Sequence, residues 1–211
     1  MRGQIRVIEF DAIVLAGGGA RRFGSDKLAH DIDGRPLLDR ALDAVTGART
    51  VVVVGPRRAT ERTVVWAQEE PPGGGPLAGI AAGLPLIRSR YVLLLAGDMP
   101  RAATAVNQLV DVLAGSNNPS VPSTSGATDP VRAMVDRHDR LQPLTALWPC
   151  DVLTRRLREL GDVQGLAVMR LYDQGEVVRV RATQEATLLD VDTPADLPQG
   201  GPEVRASSDP A

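Results

Sequence analysis

Apolar runs that fail to alternate constrain this chain more than any other feature. Thr50–Gly55 reads TVVVVG and Tyr91–Pro100 reads YVLLLAGDMP. Ile5–Leu15 is rich in β-branched residues and most strand-like over Ala12–Leu15. A strand with one wet face alternates apolar and polar side chains. A continuous apolar run of strand length must therefore be covered on both faces. Segments of helical spacing lie between these runs. Leu37, Leu38, Ala41, Leu42 and Val45 fall on one face over Pro36–Val45, with proline in the first turn and Gly47 at the stop. A helix is expected from about Leu77, another over Ala102–Leu113, and helical segments at Val152–Leu160 and Leu166–Tyr172. Shorter strands are expected at Val64–Trp66, Ser120–Val121, Val131–Val135 and Thr187–Asp190, with a more exposed one at Glu176–Arg181. Strands alternating with helices predict an α/β domain with a mostly parallel sheet and right-handed crossovers. Ligands of such open sheets bind at the carboxyl ends of the strands. Here Leu15 runs into a glycine loop, Trp66 into QEEPPGGGP and Leu95 into AGDMP, so three strand ends converge on one expected site.

Length and charge narrow the functions. The 211 residues suit one domain, expected over 1–198, followed by a Gly-, Pro- and Ser-rich tail at 199–211 that reads as disordered. A net charge of -2 and 3% aromatic residues give no surface for nucleic acid, so no nucleic-acid partner is expected. No apolar run approaches the ~20 residues that span a bilayer, so no membrane partner is expected either. The single cysteine, Cys150, cannot form an internal disulfide. That suits a cytoplasmic protein with an inert buried thiol. His30, and His138 in the turn-like DRHDR, read as surface residues, and Trp66 as a packing residue.

The stretch LAGGGARRFGSDK, Leu15–Lys27, follows the first strand. Gly17, Gly18 and Gly19 allow a tight turn that presents backbone N–H groups, which suit phosphate oxygens. Arg21, Arg22 and Lys27 add mobile positive charge, the arginines as two-pronged donors and the lysine as a point charge. No Gly-Lys-Ser/Thr follows, so this is not a Walker loop. G-x-G-x-x-G also fails, because Arg22 and Phe23 stand where its last glycine would fall. The residues taken alone leave two readings open: a polyphosphate cradle, or an ordinary flexible loop with solvated arginines.

Leu15, Ala16, Gly17, Gly18, Arg22, Gly24, Asp26 and Lys27 match L-A-G-G-x-x-x-R-x-G-x-D-K. That signature resembles the nucleotidyltransferases of the molybdenum cofactor guanylyltransferase type. GRPLLDRAL (Gly34–Leu42), GPLAGI (Gly75–Ile80), LLLAGDMP (Leu93–Pro100), QPLTALWP (Gln142–Pro149) and DVDTPADL (Asp190–Leu197) are similar to later landmarks of that family, in family order. The resemblance covers about Asp11–Leu197. It implies a three-layer, Rossmann-like open sheet flanked by helices, of the nucleotide-diphospho-sugar transferase type. It also implies transfer of GMP from GTP to the phosphate of a molybdopterin-type acceptor, with release of pyrophosphate.

The resemblance assigns roles. Gly17–Gly19 would hold the β and γ phosphates, with Leu15 and Ala16 beside the nucleotide. Arg22 and Lys27 would neutralise charge on the α-phosphate and the leaving pyrophosphate, while Arg21 at a variable position would be a solvated neighbour. Asp98 would bind Mg²⁺, and Asp190 or Asp192, of which Asp192 is the candidate carried forward, would supply a second metal contact. Gly75, Pro76, Leu77, Ala78 and Gly79 would pack under base and ribose. Glu69 of Gln68-Glu69-Glu70 would stand where the family carries an aspartate near the nucleoside. The family's molybdopterin enzymes often carry asparagines where Asp190 and Asp192 stand, a departure that bears on the acceptor. In this family LAGG goes with guanine and LAAG with cytosine, so Gly17 points to GTP. Arg101, Arg132 and Arg155 are candidates for holding the anionic acceptor, and Trp148 for lining its cleft. Three alternatives stay open: a cytidylyltransferase for the same cofactor, a guanylyltransferase for another small phosphorylated acceptor, and an inactive nucleotide-binding regulatory module. Handover of a labile pterin would favour pairing with other molybdenum cofactor synthesis proteins.

Overall fold

The computed structural model describes residues 8–17, 26–32, 34–116, 129–183 and Leu188. The apolar runs become strands β1 (Phe10–Leu15), β4 (Val51–Val54) and β6 (Tyr91–Ala96). β2 (Asp31–Ile32) and β3 (Arg35–Pro36) form a small separate ribbon. β5 (Val65–Ala67), β7 (Val131–Val135), β8 (Leu141–Pro149) and β9 (Val177–Arg181) complete a seven-stranded sheet of order β5-β4-β1-β6-β8-β7-β9. All its pairings are parallel except those of β8, which runs against both β6 and β7. The turn through Asp136–Asp139 makes that reversal, and Asp136 binds the backbone N–H of His138 and of Arg140 through one carboxylate oxygen.

Helices cover both faces, which is why the central strands need no polar alternation. On one face α1 (Leu37–Asp43) and α3 (Ala103–Ser116) place Leu37, Leu38, Leu42, Leu109 and Leu113 against Ala12, Val14, Leu93 and Leu95. On the other, α2 (Pro76–Gly83) and α4 (Cys150–Leu160) place Leu77, Ile80, Val152 and Leu153 against Ile13, Val52, Val54 and Leu94. The fold is therefore a three-layer α/β/α sandwich on a mostly parallel sheet. α1 is shorter than its periodicity predicts: Pro36 still pairs in β3, and residues 44–47 form turns. The segment expected to be helical at Leu166–Tyr172 winds as a 3-10 helix over Val168–Tyr172. The strands expected at Ser120–Val121 and Thr187–Asp190 lie outside the described residues, save Leu188.

One buried carboxylate squares the sheet at the end away from the glycine loops. Asp11 is 1% exposed. Its oxygens accept from Thr50 N at 3.0 Å, Arg88 N at 2.7 Å and Ser89 N at 2.9 Å, which tie the approaches to β4 and β6 to β1. Burial pushes this carboxyl up, but the hydrogen bonds from Arg88, Ser89 and Thr50 outweigh it and hold it below its ordinary value.

Candidate active site

The carboxyl ends of β1, β4 and β6 open into a cleft of about 250 Å³. Leu15, Gly17, Glu69, Gly75, Pro76, Gly79 and Asp98 line it, together with Val54, Gly73, Ala96 and Leu144. Segments remote in sequence thus meet where open sheets bind ligands. Ala16 lies just behind the wall, 1% exposed, with its N–H on Val54 O at 2.7 Å. Neither Leu77 nor Ala78 lines the cleft: Leu77 is buried in the core beneath α2, and Ala78, 4% exposed, packs against Gly74 of the second glycine loop. Gly18, Gly19, Arg21, Arg22, Asp190 and Asp192 lie outside the described residues.

Lys27 and Asp98 carry the charge of the site. Lys27 opens a 3-10 turn, Lys27–Ala29, capped by Asp26, whose Oδ1 accepts from Leu28 N at 3.2 Å. Leu28 anchors that turn in the core. Asp98 follows the end of β6 through Gly97, whose N–H binds Leu15 O at 2.9 Å. A Cβ on Gly97 would stand 2.9 Å from that same oxygen, so only glycine lets the two strand ends draw this close. The result is Lys27 Nζ at 3.0 Å from Asp98 Oδ2, with the side chains 15% and 27% exposed. Lys27 is the only lysine among the chain's 24 basic residues. Composition alone thus singles out the lysine that the loop motif also names.

Glu69 folds the second glycine loop. Its Oε1 accepts from Gly73 N at 3.0 Å, and a Cβ on Gly17 would lie 3.9 Å from the same oxygen. The rim of that loop is held from outside by Gly165 N on Gly74 O at 2.8 Å.

Two residues of the site carry no signal in the loop motifs. Gly55 ends β4 at φ +142°, and a Cβ there would lie 2.6 Å from Ala16 C and O and 2.7 Å from Gly17 N. Arg58 binds Asp26 and Ala16 O together. Both follow an apolar strand, in GPRR, where nothing local announces a contact with the first loop.

The arginines weighed for an acceptor separate in space. Arg101 is exposed just beyond Asp98. Arg132 is buried and paired with Asp129 at 2.9 Å, which removes it from any solvent-facing role. Arg155 lines a different cavity with Trp148. Trp148 pairs in register with Val92, near the start of β6, so it stands at the end of the sheet away from Asp98. It is 1% exposed, its ring sits edge-on to Tyr172 at 5.0 Å, and its N–H binds the Tyr172 hydroxyl at 3.3 Å. Leu144, from the other end of β8, reaches the Asp98 cleft instead. Burial beside Asp11 and Asp151 pushes the Cys150 thiol up to about 11, so it stays protonated at neutral pH. Among the described residues no helix is long and apolar enough to cross a membrane.

The cleft's donor set can be tested against a metal. Among the described residues no three acidic, histidine or cysteine side chains cluster. A single carboxylate at the rim of a phosphate-sized cleft is nevertheless what Mg²⁺ needs, because it keeps waters and takes most other ligands from the nucleotide. Asp98 fits that requirement.

With this geometry in place, comparison with known proteins is direct. The family description of the MobA-like NTP transferase domain matches residues 12–180. A probable molybdenum cofactor guanylyltransferase of Opitutus terrae is 36% identical over 158 residues, which cover 69% of this chain and 70% of that protein. One of Synechococcus elongatus is 39% identical over 106 residues, 46% of this chain and 55% of that protein. The aligned region thus spans little more than half of that relative. Among solved structures, a nucleotidyl transferase from Methanothermobacter thermautotroptrophicus superimposes with TM-score 0.66 at 18% identity, over 89% of this chain and 94% of that one. Molybdopterin-guanine dinucleotide biosynthesis protein A from Archaeoglobus fulgidus gives 0.62 at 20%, over 89% and 94%. These two likenesses concern the fold. The sequence match over most of the chain settles its kinship: the protein belongs to the MobA-like NTP transferase family.

Proposed function

We propose that this chain is a guanylyltransferase that moves GMP from GTP to the phosphate of a molybdopterin-type acceptor. The observation that carries the reading is the meeting of Lys27 and Asp98, 71 positions apart, 3.0 Å from each other at a cleft walled by Gly17 and Gly75. The relatives named as molybdenum cofactor guanylyltransferases support the choice of nucleotide and acceptor. An acceptor phosphate oxygen attacks the α-phosphorus, the bond from that phosphorus to the bridging oxygen breaks, and pyrophosphate leaves with the electron pair. The nucleophile is already an anion, so no histidine base is required. The protein's task is to position and neutralise.

Lys27 supplies a positive point charge to the phosphoryl oxygens as it leaves Asp98. Arg22 is proposed to share that role from the first loop. Asp98, with Asp192 as the proposed second carboxylate, would hold Mg²⁺. When bound there, Mg²⁺ would offset negative charge on the phosphates. Glu69, beside Gly17, is proposed to accept hydrogen bonds from the nucleoside, with Gly75, Pro76 and Gly79 of the cleft wall as its proposed seat.

The test is calorimetric titration with GTP, CTP, ATP and UTP in Mg²⁺, followed by pyrophosphate release with molybdopterin. GTP alone should bind. Asp98→Ala and Lys27→Ala should each lower turnover by about 10²–10³-fold, the loss typical of removing one preorganised charge from a transition state. Selective binding of CTP would overturn the guanine assignment. Binding without pyrophosphate release would turn the reading to a regulatory module.

A further inference from the structure

We infer that Arg58 is a positioning residue for Lys27, its guanidinium fastening the end of β1 to the residue that precedes the lysine. Arg58 Nε and Nη2 grip the two oxygens of Asp26 at 2.7 and 2.9 Å. Nη1 of the same group donates to Ala16 O at 3.0 Å and to Pro56 O at 2.9 Å. The side chain is only 12% exposed although its carboxylate partner is 45% exposed, so the fork is held in place rather than waving in solvent. Arg58 also holds the Asp26 carboxyl below the ordinary carboxylate range.

The logic lies in what sits on either side. Ala16 is the residue between β1 and Gly17, which lines the cleft, and Asp26 is the residue before Lys27. Leu28 pins the far side of Lys27 in the core. The lysine is thus suspended between one apolar anchor and one ionic anchor, and Arg58 refers the ionic one to the strand end that carries the site. A planar fork can satisfy a carboxylate and a carbonyl at once, and an ammonium cannot hold both in fixed directions. The catalytic half of this inference rests on the role proposed for Lys27 above. The structural half does not.

Because Lys27 is the sole lysine, its amine can be followed directly. Arg58→Ala, Arg58→Lys and Asp26→Asn should each be treated with an acetylating N-hydroxysuccinimide ester, and the rate at Lys27 read by peptide mass spectrometry without nucleotide. Turnover of GTP is measured alongside. Arg58→Ala should acetylate Lys27 several-fold faster than the parent and lower kcat by about 10²-fold, the usual loss from misplacing a reacting group by an ångström. KM should move less. Arg58→Lys, which keeps the charge but not the fork, should fail to restore either property. Asp26→Asn should resemble Arg58→Ala if the pair acts as a unit, and it serves as the second variant should Arg58→Ala fold poorly. A parental acetylation rate in folded Arg58→Ala and Asp26→Asn would overturn the inference, as would full rescue by Arg58→Lys. A parent protein with no GTP turnover would instead strike at the proposed substrate, while the acetylation rates would still decide Arg58.

Discussion

Gly17 occupies a place where a methyl group has room. A Cβ there meets only Val54 O at 3.8 Å, Glu69 Oε1 at 3.9 Å and Gly55 Cα at 3.9 Å, all ordinary contact distances. Gly17→Ala should therefore fold as the parent does, with a melting temperature within about 2 °C. Any change in nucleotide choice then comes from the ligand meeting the methyl group. The expected result is weaker GTP binding by about 1–3 kcal/mol and a smaller loss for CTP, both read by titration calorimetry. An unchanged GTP affinity would show that this backbone does not touch the base. Lys27 and Gly17 could be named from the glycine- and charge-rich loop itself, and Asp98 and Gly75 through the family resemblance of LLLAGDMP and GPLAGI. Arg58 could not, because its partners lie in another segment and the chain offers 24 basic residues to choose from. Asp11 was equally hidden: a carboxylate inside an apolar strand gives no sign of the three N–H groups it will meet.

Strand ends, rather than strands, set the precision of the site. β1 and β4 finish side by side, and Gly55 at φ +142° lets the turn after β4 pass over the Ala16–Gly17 peptide. Gly55→Ala would force a Cβ to within 2.6 Å of the Ala16 carbonyl and strain the residue's own backbone. The expected cost is about 3 kcal/mol, a fall in melting temperature of roughly 6–12 °C for a domain of this size. Nucleotide binding should weaken as well, because the displaced peptide is the cleft wall. A parental melting temperature would show that the crossing makes no steric demand. The β2–β3 ribbon was not expected, and β8 came only through the resemblance carried by Gln142–Pro149. The other strands of the sheet and the longer helices were legible, since continuous apolar runs and helical spacing are local properties. The direction of β8 was not, because an antiparallel strand buried on both faces has the same residue pattern as a parallel one. That is why Trp148 stands at the end of the sheet away from Asp98, while Leu144 of the same strand reaches the cleft.

Over the whole molecule, stability should fall in acid through its strapped carboxylates. Asp11 titrates below its unfolded value, so the stability it contributes is present above that value and is lost as pH falls through the folded one. Asp26 acts in the same direction, with a smaller effect because solvent screens it. Urea unfolding of the parent and Asp11→Asn should differ by about 3 kcal/mol at pH 7, and the gap should narrow from about pH 5 downward. A gap that stays constant to pH 3 would mean that the charge on Asp11 contributes nothing. The reversal of β8 reaches further than topology. α2 follows a parallel strand and begins in the cleft wall at Pro76, while α4 follows the reversed strand and runs the other way, ending shortly before Gly165, which meets Gly74. Each helix is a dipole with its positive pole at the start. The wall of the cleft therefore holds the positive pole of α2 at Pro76, while the negative pole of α4 is offset by Arg158 in its last turn. One strand laid backwards thus turns α4 against the helices that follow parallel strands, and brings the arginine-bearing end of that helix, rather than its start, toward the second glycine loop.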